Sequence, residues 1–270
     1  MLRSLALPAA ATVAASAAVV VHQYNEFVEL NSCSDESESH LMMSAEAQKT
    51  HVVRIPRLLT DTEIEQIHRL HDGAKPRLGT AGRRADNFAA AYHQGAWETS
   101  YLSTDGCFAR EAPALYRKLI DAARQVDAEH WDVCSRATGS IAPRCVEYHT
   151  VEPGGSLAYP THYDAGSLVT IDVMLSDSQD YQGGEFSTLE ADGHLRTHEF
   201  RKGDAICFVS HKFHCVSPVT AGRRHVLVME LWEGEERQCG HRCERHRGPC
   251  SHTASASFWR RALSDLASDL

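Results

Sequence analysis

The sequence predicts an α+β fold in which N-terminal helices pack on a C-terminal β-barrel or jelly roll. Apolar residues recur at helical spacing in two segments before Arg144, and short β-rich segments separated by Gly, Asp, Ser or Pro follow it. The β-rich segments have the spacing of all-β sandwiches and barrels. With 270 residues, of which 43% are hydrophobic and 23% charged, the chain can bury one substantial core.

The helical part opens with a short predicted strand over residues 51–55. A helix follows, in which Thr60 and Glu63 form a capping box and Gly73 marks the predicted end. A loop rich in glycine and basic residues comes next, and then a predicted strand over residues 96–102.

A second helix is predicted from Pro113 to about His130 by four apolar residues at helical spacing, Leu115, Leu119, Ala122 and Val126. The first of two His-x-Asp triplets, His130 to Asp132, lies where this helix ends. Residues two apart on a helix point roughly 200° away from each other, so these two side chains do not close on one ion. We expect Trp131 to pack inward instead.

The β-rich part contains six predicted strands, over residues 145–151, 168–175, 184–189, 195–200, 204–210 and 224–232. Within 168–175 the apolar residues Val169, Ile171, Val173 and Leu175 form one face that suits packing against the helices. The alternate residues of this strand should therefore face the barrel interior, namely Thr170, Asp172 and Met174.

The second His-x-Asp triplet, His162 to Asp164, stands directly before the strand at 168–175. Residues two apart in a strand project from the same face, so His162 and Asp164 can aim at one point. His214, 52 residues after His162, is the candidate for a third ligand. Two histidines and one carboxylate form the facial triad of non-haem Fe(II) oxygenases, which leaves one face of the ion open for cosubstrate and O₂.

An arginine follows this histidine at a fixed distance. Arg224 lies ten residues after His214, in a Gly-x-Arg arrangement that leads into an apolar strand. A buried guanidinium needs an anion, and a dicarboxylic cosubstrate would supply one through a two-pronged hydrogen-bonded pair.

These features together resemble the 2-oxoglutarate- and Fe(II)-dependent dioxygenases of the prolyl and lysyl hydroxylase type. The matching stretches are HYDAGSLVTIDVMLS, YQGGEF, KGDAICF and HCVSPVTAGRR, and the stretch VVRIPRLLTDTE looks like the usual opening of the family. The resemblance covers roughly Val52 to Trp232. It implies that the barrel is a double-stranded β-helix, the jelly roll of this family.

The resemblance also implies roles for particular residues. His162, Asp164 and His214 fall on the catalytic iron ligands of the family. Arg224 falls on the basic residue that binds the distal carboxylate of 2-oxoglutarate. Arg223 is the alternative, because the double arginine leaves a one-residue choice of alignment.

Three further residues are candidates for the cosubstrate pocket: Tyr148, Thr170 and Asp172. Tyr148 is either a hydrogen-bond partner of 2-oxoglutarate or an ordinary core tyrosine. An interior acid such as Asp172 needs a partner. It either makes a structural hydrogen bond, orients a ligand, bonds the cosubstrate through water, or meets a cationic substrate such as lysine.

The activity that the resemblance implies is hydroxylation of an unactivated C–H bond, on a prolyl or lysyl residue of a protein, with release of succinate and CO₂. Its cofactors and cosubstrates would be Fe(II), 2-oxoglutarate and O₂, with ascorbate keeping the iron reduced. A hydroxylase of a free amino acid or other small molecule and a non-catalytic jelly-roll binding module remain alternatives. A protein or peptide partner is expected. A net charge of −9 argues against nucleic acid, because a phosphate-binding surface needs a basic excess.

The chain divides into a body and two appendages. Residues 1–21 form an apolar targeting segment, read as a signal peptide, a signal anchor or a transit segment. The secretory pathway with the endoplasmic reticulum is the predicted location, a mitochondrion or plastid is the alternative, and membrane contact is expected only if the segment stays as an anchor. Residues 22–50 are predicted to be a disordered linker. The dioxygenase domain covers 51–234, with helical support over 51–143 and the jelly-roll core over 144–234.

The C-terminal tail, residues 235–270, is rich in metal-binding residue types. It holds three cysteines and three histidines: Cys239, His241, Cys243, His246, Cys250 and His252. The tail forms disulfides, binds zinc or does neither; the sequence leaves all three alternatives, because the spacing is not a standard zinc-finger pattern. The nine cysteines of the chain agree with an oxidising compartment, and their odd number leaves at least one unpaired.

Overall fold

The computed structural model describes residues 44–81 and 96–250. The helices in these ranges are α1 (Ser44–Ala47), α2 (Asp61–Ala74), α3 (Cys107–Glu111) and α4 (Pro113–His130). Of the described residues, 44–81 and 96–247 belong to one compact unit, and 248–250 belong to a second unit. None of the helices in the described ranges is long and apolar enough to cross a membrane.

The described strands are β1 (Val53–Ile55), β2 (Gly79–Ala81), β3 (Trp97–Tyr101), β4 (Ile141–Val151), β5 (Leu157–His162), β6 (Val169–Met174), β7 (Tyr181–Gly183), β8 (Phe186–Leu189), β9 (Leu195–Thr197), β10 (Ala205–Val209), β11 (His214–Val216), β12 (Val219–Gly222) and β13 (Arg224–Glu233). They form a seven-stranded sheet in the order β1-β10-β6-β13-β4-β3-β2, a four-stranded sheet β5-β11-β8-β9 and a pair β12-β7. Every pairing is antiparallel.

Both faces of the seven-stranded sheet are buried, each in its own hydrophobic cluster. On one face, Ile171 of β6 shares a cluster with Ile67 of α2 and Leu119 of α4. On the other face, Phe208 of β10 shares a cluster with Phe186 of the four-stranded sheet. The helices thus cover one face of the large sheet and the small sheet covers the other. This agrees with a jelly-roll-like arrangement of antiparallel sheets.

The two long helices lie where their sequence signals predict them. The Thr60 side chain accepts from the Glu63 amide, and the Glu63 side chain accepts from the Thr60 amide, so the capping box is complete. The helix continues one residue past Gly73, because the Lys75 amide still donates to the His71 carbonyl. A single glycine costs about 1 kcal/mol in a helix, which is too little to end it where packing supports another turn.

The triplet at His130 does not form a site. The α4 helix ends at His130, Trp131 is buried, and Asp132 has a φ of 53°. The His130 ring instead lies against His51, with Nδ1 at 3.2 Å from His51 Nε2.

Residues 44–50 correct the prediction of a disordered linker over 22–50. They include α1, Ala47 is fully buried, and the Gln48 side chain bonds the backbone of Phe213. The polar composition of this segment concealed the contact, because a buried amide is stable once its polar atoms are bonded. The rest of the linker, the targeting segment at 1–21 and the loop residues 82–95 lie outside the described residues.

Candidate metal centre

The strand pairing of the small sheet brings His162 and His214 together. His214, the first residue of β11, lies directly opposite His162, the last residue of β5. Asp164 completes the group: its Oδ1 is 3.4 Å from His162 Nε2 and 3.9 Å from His214 Nε2. The three ligating atoms all lie within 4.8 Å of one another. Their convergence on one point is the arrangement that a divalent ion needs from two histidines and a carboxylate.

Asp164 lies just past the end of β5 and is held by hydrogen bonds rather than by strand alternation. Its amide donates to the Ser210 carbonyl at 2.8 Å. The Thr170 hydroxyl donates to Asp164 Oδ2 at 2.7 Å, and this hydroxyl also lies 2.9 Å from Ser210 Oγ. Oδ1 is therefore directed at the histidines. The structure places Thr170 as a positioning residue for this carboxylate.

The environment of His214 selects the ring nitrogen that can bind a metal. Its Nδ1 is 3.0 Å from the Lys212 carbonyl. A carbonyl only accepts, so Nδ1 carries the proton and Nε2 keeps its lone pair for the ion. The rings of Phe186 and Phe208 pack beside it at 5.7 and 4.9 Å between centroids and fix its plane.

Burial and charge set the protonation states. Burial lowers the pKa of His214, against the opposing effect of Asp164, so the neutral imidazole is favoured. Burial alone would raise the pKa of the Asp164 carboxyl, but His214 and His162 outweigh it and hold that pKa below its usual range. A neutral imidazole beside an ionised carboxylate is the state in which both bind a metal.

The group is open on one side. The side chain of His162 is 33% exposed, whereas those of Asp164 and His214 are 12% and 7% exposed. Solvent and a substrate therefore reach the centre from the side of His162.

Arg224, at the start of β13, is buried, whereas its neighbour Arg223 is exposed and ion-paired with Glu152 at 2.6 Å. Burial lowers the pKa of Arg224, with Tyr181 and Asp172 opposing the shift. Among the described side chains, Arg224 Nε is one of the few buried nitrogens that have no hydrogen-bond partner. A buried guanidinium with an unpaired N–H is suited to bind a carboxylate.

The charges of Asp164 and of Arg224 both act on the buried carboxyl of Asp172. Burial raises the pKa of its carboxyl well above the usual value, Asp164 raises it further, and Arg224 opposes the shift. Its Oδ1 is buried without a partner. The apolar neighbours Met174, Val226 and Val228 form a small cluster of their own in the same part of the sheet. Asp172 and Arg224 are thus two buried polar groups that each have an atom without a hydrogen-bond partner.

Tyr148 is not brought to this site. Its hydroxyl is 2.7 Å from His68 Nδ1, its ring stacks on His71 at 4.0 Å, and it belongs to the cluster that packs on the helices. On the same strand, His149 Nε2 lies 2.8 Å from Glu147 Oε2. Six consecutive residues of β4 are buried, so no alternation in the sequence reveals which of them face the site.

No protein-family model and no curated protein matches the sequence. Solved structures do match. A prolyl hydroxylase from Trichoplax adhaerens, in complex with a hypoxia inducible factor oxygen degradation domain peptide fragment, is 14% identical, with a TM-score of 0.53 over 78% of this chain and 92% of that one. A 2OG-Fe(II) oxygenase family oxidoreductase from Burkholderia pseudomallei is 16% identical, with a TM-score of 0.52 over 76% and 92%. The non-heme α-ketoglutarate-dependent epimerase SnoN from nogalamycin biosynthesis is 14% identical, with a TM-score of 0.50 over 71% and 79%.

The chain has the fold of the 2-oxoglutarate- and Fe(II)-dependent oxygenases.

Within this oxygenase fold, the position of His214 depends on contacts for which the sequence contains no motif. Lys212 is fully buried, and its Nζ donates to the Gln48 carbonyl at 3.1 Å and to Glu190 at 3.0 Å. The Gln48 amide donates to the His211 carbonyl at 3.0 Å. These bonds hold the turn before His214, and no motif marks them because the partners are up to 164 residues apart.

Proposed function

We propose that the protein is an Fe(II)- and 2-oxoglutarate-dependent dioxygenase that hydroxylates an unactivated C–H bond on a prolyl or lysyl residue of a protein substrate. Succinate and CO₂ are the accompanying products. Two observations support this proposal: the ligating atoms of His162, Asp164 and His214 converge on one point, and Nε of the buried Arg224 has no hydrogen-bond partner among the described residues. A metal and a dicarboxylate are the two groups that these residues are suited to bind.

Two imidazoles and one carboxylate match the donor set of a facial triad, so Fe(II) fits the residues present. When bound, Fe(II) would supply the chemistry that couples O₂ and 2-oxoglutarate to C–H hydroxylation. The chain contributes the geometry. Thr170 directs the Asp164 carboxylate, and the Lys212 carbonyl fixes the tautomer of His214.

The cosubstrate pocket would use Arg224 for the distal carboxylate of 2-oxoglutarate, in a two-pronged pair. Met174, Val226 and Val228 exclude water around its methylene groups, which strengthens that pair. The raised pKa of Asp172 favours its protonated form, which donates a hydrogen bond to a carboxylate oxygen of the cosubstrate rather than repelling it.

A protein substrate is supported by the surface beside His162. Tyr159 and Tyr163 are 64% and 38% exposed, and they are two of the three large hydrophobic residues that are exposed in the described part of the chain. Exposed aromatic rings next to His162 in the chain suit contact with a peptide. Asp172 is assigned to the cosubstrate, which favours a prolyl over a lysyl target.

Several further features belong to the same proposal. The two sheets close into a double-stranded β-helix over 144–234, with the helical region 51–143 as support. Ascorbate would serve as the reductant for a bound Fe(II). The apolar segment 1–21 directs the chain to the secretory pathway, and the nine cysteines support an oxidising compartment.

The test is succinate release from 2-oxoglutarate under Fe(II) and O₂, with and without proline-containing and lysine-containing peptides. We expect peptide-stimulated turnover and one added oxygen atom on the peptide by mass spectrometry. Asp164→Ala should abolish both. His194→Ala, at an exposed position, should retain both and serves as the control. Turnover with free amino acids only would identify a small-molecule hydroxylase, and no turnover above the Asp164→Ala background would leave a non-catalytic binding module.

A further inference from the structure

The segment after β13 has no regular secondary structure, yet several of its residues are buried. Residues 234–247 contain no helix or strand, yet the side chains of Arg237, Cys239 and Cys243 are at most 8% exposed. Ordering a stretch of this length without secondary structure costs a large amount of conformational entropy. Specific bonds must therefore hold it in place.

Three alternating residues of this segment bring one donor atom each to a single point. The Sγ atoms of Cys239 and Cys243 and a ring nitrogen of His241 lie within 4.8 Å of one another. Ligands of one tetrahedral zinc ion are separated by roughly 3.3 to 3.8 Å, given Zn–S and Zn–N bonds of about 2.3 and 2.0 Å. Small side-chain movements would bring the three atoms onto one ion.

The neighbouring contacts favour a metal over a disulfide. A disulfide would join the two sulfurs only, whereas a zinc ion accounts for the convergence of both sulfurs and the His241 ring nitrogen. Cys243 is a free thiol. The other described histidine of the tail, His246, is engaged elsewhere: it donates to the Glu233 carbonyl at 2.7 Å and stacks on Trp232 at 4.4 Å.

We propose that Cys239, His241 and Cys243 form a structural zinc site, and that this site anchors the tail against the loop that carries Asp164. The zinc site is separate from the proposed iron centre and does not rest on the proposed function.

Arg242 makes the connection to the Asp164 loop. It lies between two of the proposed zinc ligands, and its Nη2 donates to the Ala165 carbonyl at 2.6 Å. Arg144 donates to the same carbonyl at 2.6 Å, and its Nε donates to the Cys243 carbonyl. The residue next to Asp164 is thus tied to the zinc-binding segment through two arginines.

A buried acid balances these arginines. Glu230 accepts from Arg242 Nε at 2.7 Å, lies 3.7 Å from Arg144 Nη1, and accepts from the Ser167 hydroxyl. Buried charges of this kind hold a structure only when all partners stay in place. A zinc ion that fixes the residues on both sides of Arg242 would keep this network assembled.

Zinc content of the full chain tests the site. It is measured by elemental analysis in the Asp164→Ala background, so that zinc at the iron centre does not contribute. We expect one zinc per chain after dialysis. Cys239→Ser, His241→Ala and Cys243→Ser should each lose it, and Cys134→Ser, which changes a half-buried thiol elsewhere, should keep it. Absence of zinc from the Asp164→Ala protein, or full zinc in the Cys239→Ser and Cys243→Ser variants, would overturn the proposal.

A second measurement uses the unmutated protein, because loss of a buried ligand can also unfold the tail. A strong chelator should expose two further thiols to a thiol reagent, and added zinc should protect them again. An unchanged thiol count, or a Cys239–Cys243 disulfide found by mass spectrometry in the native protein, would contradict the site.

The link to the iron centre has its own readout. Arg242→Met should weaken Co(II) binding at His162, Asp164 and His214 by roughly tenfold, since the hydrogen bonds to Glu230 and to the Ala165 carbonyl are both lost. Arg247→Met, at an exposed position of the same segment, should leave that affinity unchanged. Equal affinity in both variants would refute the anchoring role. If the unmutated protein bound no Co(II) at that centre, the proposed function would fail while the zinc result would stand.

Discussion

Gly184 leaves the space through which the Arg224 side chain passes: a Cβ atom at this position would lie 2.8 Å from Arg224 Cδ. Gly184→Ala should therefore displace the guanidinium and weaken 2-oxoglutarate binding by about tenfold or more, measured by calorimetry on the metal-loaded protein. Gly193→Ala is the matched control. Gly193 also has a positive φ, of 83° against 68°, but no atom lies within 4 Å of its added methyl group. Both variants share the backbone strain, and only Gly184→Ala should lose affinity.

The two adjacent arginines should differ sharply. Arg224→Gln should reduce 2-oxoglutarate affinity on the order of 100-fold, because it removes the charge from a buried carboxylate site. Arg223→Gln removes an exposed ion pair with Glu152, and such pairs contribute about 0 to 1 kcal/mol. A loss of affinity in Arg223→Gln with none in Arg224→Gln would reverse the assignment.

Substitution of Tyr148 should lower the stability of the fold and leave the affinity for 2-oxoglutarate unchanged. Tyr148→Phe removes the hydrogen bond to His68 on the helix side of the sheet. We expect the free energy of unfolding to fall by about 1 kcal/mol in urea titrations, with 2-oxoglutarate affinity unchanged. A tenfold loss of affinity in this variant would place Tyr148 in the cosubstrate pocket after all.

Two half-buried histidines should make the protein less stable in mild acid. Burial lowers the pKa of His198 and of His225 to about 4, from an ordinary value of 6.5. Between about pH 6.5 and pH 4 the unfolded chain binds protons that the folded chain does not. The stability contributed by the neutral rings is therefore complete above pH 6.5 and is lost as the pH falls through this window.

Urea unfolding at pH 7.5 and at pH 5 measures this effect. His198→Gln and His225→Gln should each show a smaller fall in the free energy of unfolding between the two pH values than the unmutated protein. Equal falls in all three proteins would show that these histidines do not carry the acid sensitivity.

The sequence predicted the fold best where the apolar residues of a segment recur with a single helical or strand period. The helix from Pro113 to His130 has a single apolar stripe, and its bounds agree with the structure. In β6, Val169, Ile171 and Val173 lie in the cluster with the helices while Asp172 faces the other way. Alternation was readable there because the polar residues Thr170 and Asp172 separate the apolar residues of this face.

The sequence was less informative where contacts are long-range or both faces are buried. Tyr148 could not be placed because β4 shows no alternation. The contacts of Gln48 could not be predicted, because it lies in a polar segment and its partners beside His214 are far along the chain. The bond from Arg242 to Ala165 spans 77 residues and is set by packing of an irregular tail. Local patterns carry no signal for such contacts.

Anaerobic titration of 2-oxoglutarate into the protein, with and without Fe(II), tests the central claim most directly. The account predicts one equivalent of 2-oxoglutarate bound in the presence of Fe(II), with binding lost in Asp164→Ala and in Arg224→Gln. Absence of 2-oxoglutarate binding to the iron-loaded protein, or equal binding by Arg224→Gln, would contradict it.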